Sequence, residues 1–152
     1  MHLILWRHAE AADGVPDLKR QLTDKGRKQA REMAAWLQTR LAEDFRVIAS
    51  PAERALQTAS ALTDDFRVVE SIAPGASWRA VLEAAGWPHS EHTVVVVGHQ
   101  PVLGQTAAKL LTGKALPWTI KKGAVWWLTH RERDGQAQVV LRAVISPDLL
   151  KQ

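Results

Sequence analysis

Residues Thr93-Val94-Val95-Val96-Val97 form an unbroken run of β-branched side chains that stops at Gly98-His99-Gln100-Pro101. A strand with one wet face alternates apolar and polar residues, so a run that is apolar at every position needs cover on both sides. Strands of that kind sit inside a largely parallel sheet with helices above and below. This one segment therefore argues for a layered α/β fold before the rest of the chain is read.

The remaining apolar pattern agrees with it. Short β-like runs occur at 3–6 (Leu-Ile-Leu-Trp), 45–49 and 66–69. Two more, at 124–128 and 138–144, are joined through Asp134-Gly135, the sequence of a tight hairpin turn. Helical stripes lie between the runs. Ala30, Met33, Ala34, Leu37 and Leu41 recur at helical spacing behind Thr23, an expected N-cap. Ser50-Pro51-Ala52-Glu53 reads as a capping box, with Ser50 as N-cap, Pro51 at the first helical position and Glu53 two further on. Ala55, Thr58, Ala59 and Leu62 continue one face of that helix. Trp78, Val81, Leu82 and Ala85 form a stripe closed by Gly86 and Pro88, and Leu103, Thr106, Ala107 and Leu110 form another closed by Gly113. The expectation is one domain over residues 1–152, an α/β three-layer sandwich with a mostly parallel central sheet flanked by helices and a C-terminal antiparallel hairpin. At 152 residues such a chain buries a core without staples.

Composition removes several function classes. There is no cysteine, which excludes disulfides, thiolate nucleophiles and cysteine-ligated metals. The formal charge of +4 comes from interspersed signs, with no dense basic block among aromatics, so no nucleic-acid partner is expected. No apolar run approaches the roughly 20 residues of a membrane span. The segment Met1-His2-Leu3-Ile4-Leu5-Trp6-Arg7-His8 lacks the features of a secretory signal, and a cytoplasmic monomer is expected.

In parallel sheets ligands bind beyond the carboxyl ends of the strands. Three such ends carry polar residues of one chemical kind. Arg7-His8 follows the first run, Ser50-Pro51-Ala52-Glu53-Arg54 follows the second, and Gly98-His99 follows the valine run. Two guanidiniums and two imidazoles would then converge on one sheet edge. Guanidinium forks match the oxygens of a phosphoryl group, and helix N-termini add backbone donors. One neutral imidazole can attack phosphorus while the other donates to its oxygens. Such chemistry needs neither metal nor cofactor, because the arginines hold the charge.

Four ordered motifs carry a resemblance. Leu5-Trp6-Arg7-His8-Ala9-Glu10-Ala11, Leu22-Thr23-Asp24-Lys25-Gly26-Arg27-Lys28-Gln29-Ala30, Ser50-Pro51-Ala52-Glu53-Arg54-Ala55-Leu56-Gln57-Thr58-Ala59 and Val97-Gly98-His99-Gln100-Pro101 resemble the signatures of the histidine phosphatase (phosphoglycerate-mutase-like) superfamily. The absence of a long insertion between Thr63 and Thr93 makes the chain most similar to the SixA-type phosphohistidine phosphatases. The resemblance implies a phosphoglycerate-mutase-like fold and a covalent intermediate on His8. It implies a phosphoryl clamp of Arg7 and Arg54, charge stabilisation by His99 and a further phosphate-pocket arginine in Arg20. The expected partner is a phosphorylated protein, or else a small phosphorylated substrate. A mutase, a small-molecule phosphomonoesterase and a non-catalytic phosphoprotein-binding module are the alternatives.

Two departures bear on this reading. Ala9 stands where the family has glycine, so a close approach to phosphate there requires negative φ. Many members also carry an acid after the third strand that protonates the leaving oxygen. Here Glu70 reads as a surface carboxylate, and Glu10, beside the nucleophile, is the candidate acid. Without a dedicated acid, a site favours the easily displaced imidazole of phosphohistidine over an alkoxide. Among the other signals, His89 and His92 read as a polar loop rather than a metal pair. Lys121-Lys122 reads as a solvated loop, with contact to an acidic partner near the site as the alternative.

Overall fold

The structure is a computed structural model that describes residues 1–150. Strands β1 (His2–Arg7), β2 (Arg46–Ala49), β3 (Arg67–Val68) and β4 (Val94–Gly98) alternate with helices α1 (Asp24–Gln38), α2 (Glu53–Leu62), α3 (Trp78–Ala85) and α4 (Val102–Thr112). A hairpin of β5 (Val125–Arg133) and β6 (Gln136–Ile145) follows, and short 3-10 turns occupy Asp17–Lys19, Glu70–Ile72 and Pro147–Leu150. The sheet order is β3-β2-β4-β1-β5-β6. The first four strands of that order run parallel, and β5 and β6 are antiparallel to their neighbours.

The valine strand is central, as its composition requires. Every residue of β4 is buried. Val94 and Val96 join Leu3, Leu5 and Ile48 in a core with α3 and α4, while Val95 and Val97 join Ile4, Trp6 and Val47 in a second core with α1 and α2. Successive side chains of one strand thus feed opposite layers, which is the physical content of the three-layer sandwich. The hairpin turns through Asp134 and Gly135, both at positive φ (52° and 75°), the two-residue form whose twist suits adjacent strands.

Several local expectations need correction. Ser50 is not an N-cap: α2 starts at Glu53 with Ala52 in the capping position, and the Ser50 hydroxyl instead accepts the Ala52 N–H at 3.2 Å within the preceding loop. Leu41 lies past the end of α1, although its N–H still reaches the Leu37 carbonyl at 2.9 Å. The third strand is only two residues long and exposed, since it pairs with β2 alone at the sheet edge. The hairpin strands run beyond their apolar runs because backbone pairing continues to Arg133↔Gln136 after burial has ended. The Thr23 cap stands, with its side chain accepting the Gly26 N–H, and Gly86 and Gly113 close α3 and α4 in left-handed conformations.

Candidate active site

Register builds the site. Arg7 pairs with Gly98 across β1 and β4, and the ladder continues one step further through a bond from the His8 N–H to the Gly98 carbonyl at 3.0 Å. His8 and His99 are therefore neighbours at the carboxyl ends of adjacent strands, with ring centroids 5.2 Å apart. On the other side of β4, Ala49 pairs with Val97, and the Ser50 N–H donates to the Val97 carbonyl at 3.1 Å. Ser50 thereby shares a 2.7 Å hydrogen bond with His99 Nε2. A one-residue slip of any of these strands would send its polar residue to the other layer.

Arg54 enters from the first turn of α2 and Arg20 from the end of the 3-10 turn Asp17–Lys19. Arg7, His8, Arg20, Arg54 and His99 all line one polar cavity of about 210 Å³, with Lys122 at the same wall. Among the described residues, the buried side-chain nitrogens without a hydrogen-bond partner are Arg7 Nε, Arg54 Nε and His99 Nδ1, all on residues of this cavity. Buried donors are seldom left unpaired, and their concentration here marks a place built for a strong acceptor.

The His8 ring is oriented by its own backbone. Its Nδ1 donates to the Ala9 carbonyl at 2.7 Å, which leaves Nε2 with the free lone pair. Burial, and secondarily the charges of Arg54, Arg7 and Arg20, lower its pKa to about 4 against a partly opposing effect of the Ala9 bond. His99 is lowered to about 3, again by burial first and then by His8 and Arg54. Both rings are thus neutral near pH 7, with the positive charge held on the arginines.

Asp17 was invisible as a site residue in the sequence, because it sits in a loop without periodicity. It accepts from Arg54 Nη2 at 3.2 Å and, through its backbone carbonyl, from Nη1 at 2.9 Å, while its other carboxylate oxygen accepts from Arg20 Nη1 at 3.2 Å. The Arg20 bond, followed by Arg54, holds its carboxyl below the usual range, so Asp17 is an acceptor at neutral pH and not a proton source. Ser50 was noticed as a hydroxyl at a helix start, but its bond to His99 depends on strand pairing that local sequence does not display.

Two expected site residues do not line the cavity. The Ala9 side chain packs with Leu22 and Ala30, its N–H donates to Thr58 Oγ1 at 3.1 Å, and its φ is not positive, so replacing glycine there introduces no backbone strain. Glu10 turns its carboxylate to the Thr23 hydroxyl at 2.7 Å, at the start of α1. The segment after β3, where many relatives are expected to present an acid, contributes Pro74 to the cavity wall, and Glu70 is exposed outside it. Away from the site, His92 lies 3.4 Å from Asp44, and no cluster of His, Asp and Glu among the described residues could hold a metal ion.

A layered sheet gathers two imidazoles and three arginines beyond its parallel strand ends, which makes this an α/β protein with a cationic, donor-rich cavity at that edge. Comparison with known proteins refines this class. Residues 3–75 match the model of the histidine phosphatase superfamily (branch 1). The chain is 32% identical over 127 residues to phosphohistidine phosphatase SixA of Escherichia coli (strain K12), covering 77% of this chain and 78% of that protein. It superposes on the structure of the protein histidine phosphatase SixA complexed with tungstate with a TM-score of 0.81 at 28% identity, covering 99% of this chain and 100% of that one. The fold is also shared with a phosphoserine phosphatase from Entamoeba histolytica (TM-score 0.69, 19% identity, 95% and 96% coverage). The chain belongs to the histidine phosphatase superfamily.

Proposed function

We propose that this protein is a phosphatase that removes the phosphoryl group from protein phosphohistidine through a covalent intermediate on His8. The observation that carries the reading is the His8 imidazole itself: neutral, with Nδ1 committed to the Ala9 carbonyl and Nε2 free, in a cavity lined by Arg7, Arg20 and Arg54. His8 Nε2 attacks phosphorus, the bond from phosphorus to the substrate's imidazole nitrogen breaks, and that nitrogen keeps the electron pair, so the ring, already protonated on its other nitrogen, departs as a neutral imidazole without a proton donor. Water then attacks the phosphoryl group on His8. The P–N bond to His8 breaks, the ring recovers its lone pair and inorganic phosphate leaves. Arg7 and Arg54 hold the equatorial oxygens through both displacements, with Arg20 at the rim. Ser50 donates to His99 Nε2, which places the proton on Nδ1 and makes His99 a neutral donor to the phosphoryl oxygens.

Leaving-group chemistry supports phosphohistidine over an alkyl phosphate. Among the described residues no carboxylate lines the cavity, Pro74 stands on the side where an acid is expected, and an alkoxide would depart without a proton. SixA is named for the same substrate class, and the SixA structure holds tungstate, a tetrahedral oxyanion like phosphate. The reading needs no cofactor, and we place the chain in the cytoplasm as one catalytic domain. Among the described residues no helix is long and apolar enough to cross a membrane.

The test is to incubate the protein with a phosphohistidine peptide, quench, and map the phosphoryl adduct by mass spectrometry. The adduct belongs on His8, and His8→Ala, checked for folding by circular dichroism, gives neither adduct nor turnover. Retained hydrolysis in that variant would overturn the covalent mechanism.

A further inference from the structure

A second cavity of about 400 Å³ adjoins the phosphoryl pocket and shares Arg7 and Lys122 with it. Lys25, Lys28 and Glu32 of α1, Lys121 and the 3-10 turn at Pro147 and Asp148 are also part of its lining. The charge is mixed but mostly positive. Lys28 and Lys121 face Glu32 and Asp148 at 3.8 and 3.9 Å, the outer limit of an ion pair, whereas Lys25 and Lys122 have no carboxylate within that range among the described residues.

One lysine of each pair, Lys25 and Lys122, has no such partner in the fold among the described residues. Lys25 occupies the first turn of α1, the end where the helix dipole disfavours cations, so it works against the helix that carries it. Lys121 and Lys122 lie on a tight turn closed by the Ala124 N–H on the Lys121 carbonyl at 2.9 Å, with Gly123 at φ +74°. That turn is tied to the nucleophile: the Gly123 N–H donates to the His8 carbonyl at 3.1 Å and Arg7 Nη1 donates to the Ile120 carbonyl at 2.9 Å. Trp6 Nε1 adds a bond to the Gly123 carbonyl at 3.1 Å. The backbone carrying these two charges is fixed relative to the reacting phosphorus.

Resting on the proposed phosphatase activity, we infer that this groove docks acidic side chains that flank the phosphorylated residue of a protein substrate. Lysines are point charges on long stems, suited to carboxylates spaced along a chain. Glu32 and Asp148 in the same lining would repel a polyphosphate, but they match a protein surface that carries both signs. The groove lies outside the chemistry, so it acts on substrate capture and not on phosphoryl transfer.

The experiment uses three probes: a phosphohistidine peptide flanked by glutamates, the same peptide flanked by glutamines, and phosphoramidate. The expected result is a kcat/KM about tenfold higher for the glutamate peptide, collapsing at high salt. The double variant K25Q/K28Q, which removes both charges without setting a new carboxylate beside Glu32, should lose that preference and keep its phosphoramidate turnover. Equal turnover of both peptides by the unmodified protein overturns the inference, as does an equal loss on all three probes in the variant. No turnover of any probe removes the phosphatase reading, and the groove's role falls with it.

Discussion

Replacing His8 by asparagine should change how the protein responds to acid. The carboxamide N–H can take over the bond to the Ala9 carbonyl, but it cannot be protonated in this range. In the folded protein His8 is 8% exposed, and burial lowers its pKa from 6.5 to about 4. As pH falls the unfolded chain therefore takes up the proton first. The stability associated with the neutral ring is complete above about pH 6.5 and is lost progressively down to about 4. A depression of roughly 2.5 units, at about 1.4 kcal/mol per unit, amounts at pH 4.5 to about 2–3 kcal/mol. His99 adds to the difference in the same direction, because part of its own depression comes from His8. All other titrating groups are common to both proteins. Urea unfolding at pH 7 and pH 4.5 measures the quantity directly. The unmodified protein should lose about 2–3 kcal/mol more than His8→Asn between the two pH values. Parallel losses, within about 0.5 kcal/mol, would refute the claim that burial keeps this ring neutral.

Other perturbations follow from named contacts. Arg54→Ala should lower kcat by roughly 10²–10³-fold, since it removes fixed charge directed at the transferring group, and steady-state kinetics on phosphoramidate measures it. Gly26→Ala places a methyl 2.0 Å from the Glu10 carbonyl oxygen, so α1 must retreat from the loop behind His8. About 1–3 kcal/mol of stability should be lost, seen as a lowered Tm. Asp17→Asn removes the negative charge facing Arg20 and Arg54. The product inhibition constant for inorganic phosphate should fall by up to about fivefold, the scale of a half-exposed ion pair.

What the sequence disclosed and what it concealed divide along a physical line. The valine run, the helical stripes and the glycine stops report local periodicity and backbone preference, and they placed the layers and most of the elements. Arg7, His8 and His99 were legible because they follow apolar runs at once or after a single glycine, and Arg54 because it falls in the first turn of the helix after one, and a parallel sheet puts such positions on one edge. Ser50 was legible only as a hydroxyl near a helix start, since its bond to His99 arises from the pairing of β2 with β4, some 49 residues apart in sequence. Asp17 meets Arg54 across 37 residues from a loop with no pattern of its own. Lys121 and Lys122 read as solvated loop because the bond that ties their turn to the His8 carbonyl belongs to the backbone, where side-chain identity leaves no trace.

The carboxylate of Asp17, bonded to both Arg20 and Arg54, gives the pocket an internal rival for its arginines. An arriving dianion meets guanidiniums that already have company, so part of the attraction it gains is given up again in displacing or sharing that neighbour. The same competition helps expel spent phosphate once hydrolysis is done. A centre arranged this way favours rapid emptying over tight retention.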